Sequence, residues 1–173
     1  RKIADRWPDI LLSGINHGRN TSISVIYSGT MGAALEGCVD DIPSIGISHC
    51  DFRPDANFTA AGKIAYEVTA KVLKEGLPRY TCLNVNVPET QDIKGIRISR
   101  QAAGHWEEVL DQRQDPTGRN YYWLGGEFVD HEPDAEDTDE WAVQNGYVSI
   151  TPVQLDMTNY KYMEHLKDWN IKI

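Results

Sequence analysis

An α/β domain built on a parallel sheet is the fold class this sequence predicts, and three observations carry it. Apolar runs of strand length recur at residues 9–15, 44–48 and 83–87. Helix-patterned stretches, 29–37 and 58–75, stand between them. The links are short and rich in turn residues, so strand and helix alternate at the spacing of crossover units.

Taken in order, residues 1–7 read as the end of a helix that Pro8 closes. Residues 9–15 (Asp-Ile-Leu-Leu-Ser-Gly-Ile) form a buried strand, and 16–24 a polar loop. The small residues of 29–37 suit a helix, and Asp41-Ile42-Pro43 a turn into the strand 44–48. The clearest helix is 58–75, where Ala61, Ala65, Val68 and Val72 share one face and Gly76 ends it. Leu83, Val85 and Val87 alternate along a strand that stops at Pro88.

The second half changes character. Ile96 and Ile98 begin a strand. Two polar and aromatic stretches flank Asp115-Pro116-Thr117-Gly118-Arg119-Asn120, a turn sequence, and predict a long hairpin. An acidic, solvated loop leads to a short helix with Asp137 as its cap and Glu140 three residues on. Residues 147–153 form another strand, and an amphipathic helix carrying Tyr160, Met163, Leu166 and Trp169 closes the chain. The expected organisation is one domain over 1–173, with a core at 1–88 and a hairpin and oligomerisation part at 89–173.

Composition narrows the function. A chain of 173 residues, 40% apolar and 25% charged, is ordinary for a globular domain. Its net charge of −9 argues against a nucleic-acid surface, which needs a concentrated basic face. A small phosphate ester remains compatible if a metal, a helix N-terminus or backbone N–H groups supply local positive potential. No apolar run is long enough to span a bilayer, and no charged-then-apolar leader is present. Cys38, Cys50 and Cys82 fit neither a disulfide framework nor a zinc spacing, and the expected compartment is the cytoplasm.

Two segments could carry chemistry. Ser13-Gly14-Ile15-Asn16-His17-Gly18 lies beyond a strand's carboxyl end, where ligands collect in open α/β sheets. Asn16 there is either a turn residue or an amide oxygen offered to a hard cation. Tyr27-Ser28-Gly29-Thr30-Met31-Gly32-Ala33-Ala34 joins hydroxyls to the free N–H groups of a helix start. It is either a phosphate cradle or a capped helix whose small residues allow tight packing. No Lys follows the glycines, so it is not a Walker loop.

Together these segments resemble the survival protein E (SurE) family of nucleotidases. The likeness continues through Cys82-Leu83-Asn84-Val85-Asn86-Val87-Pro88, Asp137-Thr138-Asp139, Asn145-Gly146-Tyr147-Val148-Ser149-Ile150-Thr151-Pro152 and Asp156-Met157-Thr158. It implies a three-layer Rossmann-like sheet with a C-terminal hairpin and helix extension. It implies a metal-dependent phosphatase of nucleoside 5′- and 3′-monophosphates, some members also trimming short polyphosphate. By the same resemblance Asn16 is a metal ligand for Mg²⁺ or Mn²⁺, one ion per subunit, and Ser28, Gly29 and Thr30 surround the phosphate. The family's paired aspartates and a further serine precede the equivalent of Asp9. No catalytic residue is therefore expected in these 173 residues, and no activity from them alone. A homodimer or homotetramer is implied. Departures are Arg19, where a small residue is common, and Ser22 and Ser24, where Gly and Asp often stand.

Rival readings are weaker. A non-catalytic nucleotide- or phosphate-binding module on the same fold is the alternative. A dinucleotide-dependent oxidoreductase lacks its Gly-x-Gly-x-x-Gly. The acidic stretch 130–140 lacks the central Gly and terminal Glu of a calcium loop. His17 could meet substrate, but His17, His105 and His131 read first as surface or structural groups, and Cys38 has no base partner in view. Trp106, Tyr121, Tyr122 and Trp123 fit a subunit contact better than a base-stacking platform.

Overall fold

A period of two decides which side of the main sheet each residue faces. Strands β1 (Leu11–His17), β2 (Ser44–His49) and β3 (Thr81–Val87) run parallel and adjacent. In β2 and β3, Ile45, Ile47, Val85 and Val87 join Ala61, Val68 and Val72 of helix α2 (Thr59–Glu75) in one core cluster. The intervening residues are small or polar. A Cβ on Gly46 would lie 2.4 Å from Met31 Sδ, so α1 (Gly29–Val39) packs on that opposite face. Met31, Ala34, Cys38 and Cys82 form the second cluster there. Helix, sheet, helix gives three layers, as expected. The structure is a computed structural model and describes residues 5–90 and 92–171.

The sheet is mixed rather than wholly parallel, with β7 (Val148–Gln154) and β4 (Ile96–Ile98) completing the order β1-β2-β3-β7-β4. β7 runs antiparallel to β3, and β4 parallel to β7. The cause lies in helix α3 (Asp139–Gln144), whose Asp139 and Glu140 bond residues 21 and 22 beyond the carboxyl ends of the parallel strands. β7 starts from that end, so it enters the sheet in the opposite direction.

β5 (Gly104–Gln114) and β6 (Asn120–Asp130) form the long hairpin, turned at Asp115. The Asp115 carboxylate accepts the N–H groups of Thr117 and Arg119, and Gly118 takes the positive φ of +83°. Its root is tied to the domain by Arg100, which bridges Glu132 at 2.6 Å and Asp137 at 2.8 Å. Helix α4 (Tyr160–Lys167) has no buried residue.

Local differences from the sequence reading have simple causes. The helix expected over 1–7 lies partly outside the described residues, and residues 5–7 are not helical. The polar loop 16–24 gives way to a 3-10 turn, Ser22–Tyr27. Thr138, not Asp137, caps α3, because its hydroxyl accepts the Trp141 N–H while Asp137 pairs with Arg100. The acidic stretch is not solvated throughout. Asp139 and Glu140 are fully buried.

Candidate functional site

Register across the three parallel strands sets Asn16 beside Ser48, and Ser48 beside Asn86. The β1–β2 register shifts between Gly14 and Asn16, which aligns Asn16 with Ser48. Gly14 makes this possible, with φ of +114° and a position where a Cβ would stand 2.2 Å from the Ile47 carbonyl oxygen. The sequence therefore delivers a row of polar side chains to the carboxyl end of the sheet, on the face that α1 covers.

These side chains form one network. Asn16 Nδ2 donates to the carbonyls of His17 and Gly18, both at 2.9 Å, which fixes the amide with its oxygen turned inward. Asn16 Oδ1 then accepts from Thr30 Oγ1 at 2.9 Å, Ser48 Oγ at 2.9 Å and Asn20 Nδ2 at 3.3 Å. Asn20 Nδ2 also donates to Ser48 Oγ at 2.7 Å. The Asn20 backbone is clamped on both sides, its N–H by Asn86 Oδ1 and its carbonyl by Asn84 Nδ2, each at 2.8 Å.

Ser28, Gly29 and Thr30 stand at the start of α1. Ser28 Oγ caps the helix by accepting the Met31 N–H at 3.1 Å, and Thr30 in the first turn reaches back to Asn16. The first N–H groups of a helix have no partner within it, and the helix dipole adds positive potential. The four residues named from the sequence thus meet in one place. Sequence reasoning passed over Ser48, Asn84 and Asn86 as site residues. The signal was present: Asn84 and Asn86 alternate with valines, and polar residues on one face of a buried strand need partners.

A second layer fixes the loop. Thr21 Oγ1 donates to Glu140 Oε2 at 2.5 Å, and Arg19 pairs with Glu140 Oε1 at 2.9 Å. The Asp139 carboxylate accepts the N–H groups of Ser22 and Ala102, both at 2.9 Å. Burial pushes the Asp139 carboxyl above its ordinary range, and those two N–H donors oppose the shift.

The network opens into a cleft of about 710 Å³. Asn16, Ser28 and Arg19 line one side, with Phe52, Trp106 and Leu124 among the apolar walls. His17 and His105 also line it. Trp106 bridges hairpin and loop, its Nε1 donating to Ser24 Oγ at 3.2 Å. Burial raises the Cys50 and Cys82 thiols to about 12 and lifts Cys38 as well, which disfavours the thiolate at all three.

A hard divalent cation does not fit the described residues by themselves. They hold no group of three or more His, Cys, Asp and Glu side chains able to bind one. Asn16 offers one neutral oxygen, already accepting three hydrogen bonds, whereas Mg²⁺ is usually held through carboxylates.

Fold and site together define an α/β domain with a polar cluster and a capped helix start at the carboxyl ends of parallel strands, the general location of ligand sites in open sheets. The family model described as "Survival protein SurE" matches residues 1–108. The chain belongs to that family. It is 53% identical over 173 residues to the 5′-nucleotidase SurE of Bacteroides fragilis, covering 98% of this chain and 67% of the relative. It is 48% identical over 172 residues to the protein of the same name in Flavobacterium psychrophilum, covering 98% and 66%. The crystal structure of the SurE protein from Aquifex aeolicus superposes with a TM-score of 0.76 at 42% identity, covering 94% of this chain and 66% of that one. The chain spans about two thirds of the length of these relatives. Among the described residues no helix is long and apolar enough to cross a membrane.

Proposed function

We propose that the protein to which this chain belongs is a 5′-nucleotidase that releases phosphate from nucleoside 5′-monophosphates, with 3′-monophosphates and short polyphosphate as further substrates. The observation that carries the reading is the 2.9 Å bond of Thr30 to Asn16, a residue that with Ser28 lines a cleft large enough for a nucleoside. The names of the relatives support it.

In this reading Ser28, Gly29 and Thr30 hold the non-bridging phosphoryl oxygens. The N–H groups of the first turn of α1 face the charge that builds there, and fixed donors of this kind stabilise a transition state without reorganising. The apolar cleft wall of Phe52, Trp106 and Leu124 takes the nucleoside. A Mg²⁺ or Mn²⁺ ion, one per subunit, would take Asn16 Oδ1 as one ligand and needs carboxylates from beyond the described residues. The protein is read as a cytoplasmic homodimer or homotetramer.

The test is release of phosphate from AMP and GMP by the whole protein, with and without Mn²⁺. Metal-stimulated release supports the reading. AMP binding without any release would replace it with a non-catalytic nucleotide- or phosphate-binding module.

A further inference from the structure

Arg19 is the one lysine or arginine among the residues lining the 710 Å³ cleft, and its position is over-determined. Its neighbour Gly18 has a φ of +86° and lies where a Cβ would meet the Phe52 ring at 2.3 Å. Asn20, on the other side, is clamped by Asn84 and Asn86. The guanidinium is anchored in turn: Nη2 pairs at 2.9 Å with Glu140, whose side chain is only 1% exposed against 34% for Arg19. Thr21 Oγ1 and Gln144 Nε2 hold the same carboxylate. Arg19 also lines a 340 Å³ cavity with Cys50, Glu89 and Gln144, so it forms the wall between two openings.

A guanidinium carries five N–H donors in a rigid fork, and the Glu140 contact cannot use them all. The chain has a net charge of −9, which repels a dianionic phosphate ester from the surface at large. The Glu140 carboxylate offsets much of the guanidinium's charge and Glu108 lines the same cleft, so what Arg19 offers an anion is its remaining fixed N–H donors rather than a net positive field. We propose that Arg19 is a specificity-determining residue that contacts phosphoryl oxygens of the bound substrate, with Glu140 as the positioning residue that aims it. The proposal rests on the nucleotidase reading for its substrate, a nucleoside monophosphate. Its ligand chemistry, an oxyanion of phosphate, does not require turnover.

The competing role is purely structural, with Arg19 as the counter-ion of a buried carboxylate, and the two separate cleanly. In the whole protein, Arg19→Gln, Arg19→Lys and the double variant Arg19→Gln/Glu140→Gln are compared with the parent. The measurements are KM and kcat for AMP, the dissociation constant of inorganic phosphate by calorimetry, and thermal stability. A lost charge-assisted hydrogen bond to an anion predicts that Arg19→Gln raises KM and the phosphate dissociation constant on the order of tenfold, with a smaller change in kcat. Arg19→Lys recovers part of the loss. The double variant restores stability by removing the unpaired carboxylate but keeps the weakened phosphate binding. Return of KM and phosphate affinity to the parent values in the double variant would overturn the proposal, as would an unchanged Arg19→Gln. If the parent turns over no nucleotide, the nucleotidase reading fails, and the calorimetry still decides the role of Arg19.

Discussion

Ser48 Oγ donates to Asn16 Oδ1 at 2.9 Å while accepting from Asn20 at 2.7 Å, so one buried hydroxyl joins the end of β1 to the loop that follows it. Ser48→Ala removes both bonds and leaves the buried Asn20 amide with only its longer 3.3 Å bond to Asn16 Oδ1. The expected cost is about 1–3 kcal/mol, the usual penalty for a stranded buried polar group. Urea denaturation measures it, and an unchanged midpoint with an unchanged slope would mean that water replaces the hydroxyl.

Gly46 sits where Met31 of α1 packs on β2. A methyl group there meets Met31 Sδ at 2.4 Å, and Met31 is itself fully buried. Gly46→Ala should therefore cost about 1–3 kcal/mol through overpacking. The double variant Gly46→Ala/Met31→Ala opens space beside the new methyl and should lose less than the sum of the two single changes. Strict additivity in denaturation would refute the proposed contact.

The core half of the fold was legible because periodicity reports burial directly. The strands near 9–15, 44–48 and 83–87, the helix at 58–75 and the hairpin about Asp115 all appear in the structure. The segments holding Asn16 and Ser28–Thr30 stood out as a strand end and a helix start, where backbone groups are left free, but the metal and phosphate roles expected of them came from the resemblance to the SurE family. What pattern could not supply was partnership across sequence distance. Asp139 and Glu140 look like part of an acidic surface loop, yet they are buried, because residues 21, 22 and 102 bring donors to them from far along the chain. The direction of β7 was hidden for the same reason, since it depends on where α3 docks.

Glu132 and Asp137 share Arg100 at the hairpin root, and the hydrogen bonds to that guanidinium hold both carboxyls below their ordinary range, Glu132 the further. For Glu132 those bonds, together with the Ala103 N–H, hold the pKa down to about 2. A depressed carboxylate stabilises the fold above its ordinary range, and that stabilisation is lost as pH falls toward 2. Glu132→Gln should lower the melting temperature near neutral pH, and the gap to the parent should close between the ordinary glutamate range and about pH 2. A gap that stays constant through that window would exclude the ionised pair as its source.

Assembly follows from what is left uncovered. Tyr160, Met163, Leu166 and Trp169 of the C-terminal segment are each 40% exposed or more, as are Tyr121, Tyr122 and Trp123 on the hairpin. Aromatic groups in that number concentrate at subunit contacts. Light scattering of the whole protein at micromolar concentration should give a dimer or larger species, and a monomer would refute the expectation.

Asn16 and Thr30 are bonded to each other, yet the proposed function gives them different tasks, and this separates their variants. Thr30 is proposed to be one of the donors around the phosphate. Removing one such donor typically raises the barrier by about 2.7–4 kcal/mol, a loss of 10² to 10³ in kcat. Thr30→Ala should show that loss at every metal concentration. Asn16 is proposed to offer an oxygen to the cation, so Asn16→Ala should weaken metal affinity, and excess Mn²⁺ should recover part of its activity. Both variants also lose the 2.9 Å bond between the two side chains. Asn16→Ala also loses its bonds to His17, Gly18, Asn20 and Ser48, so it should melt lower than Thr30→Ala, and the metal response separates a lost ligand from that structural loss. Titration of Mn²⁺ against AMP hydrolysis in the whole protein reads the difference. Recovery of Thr30→Ala by metal, with Asn16→Ala left unrecovered, would reverse the two assignments.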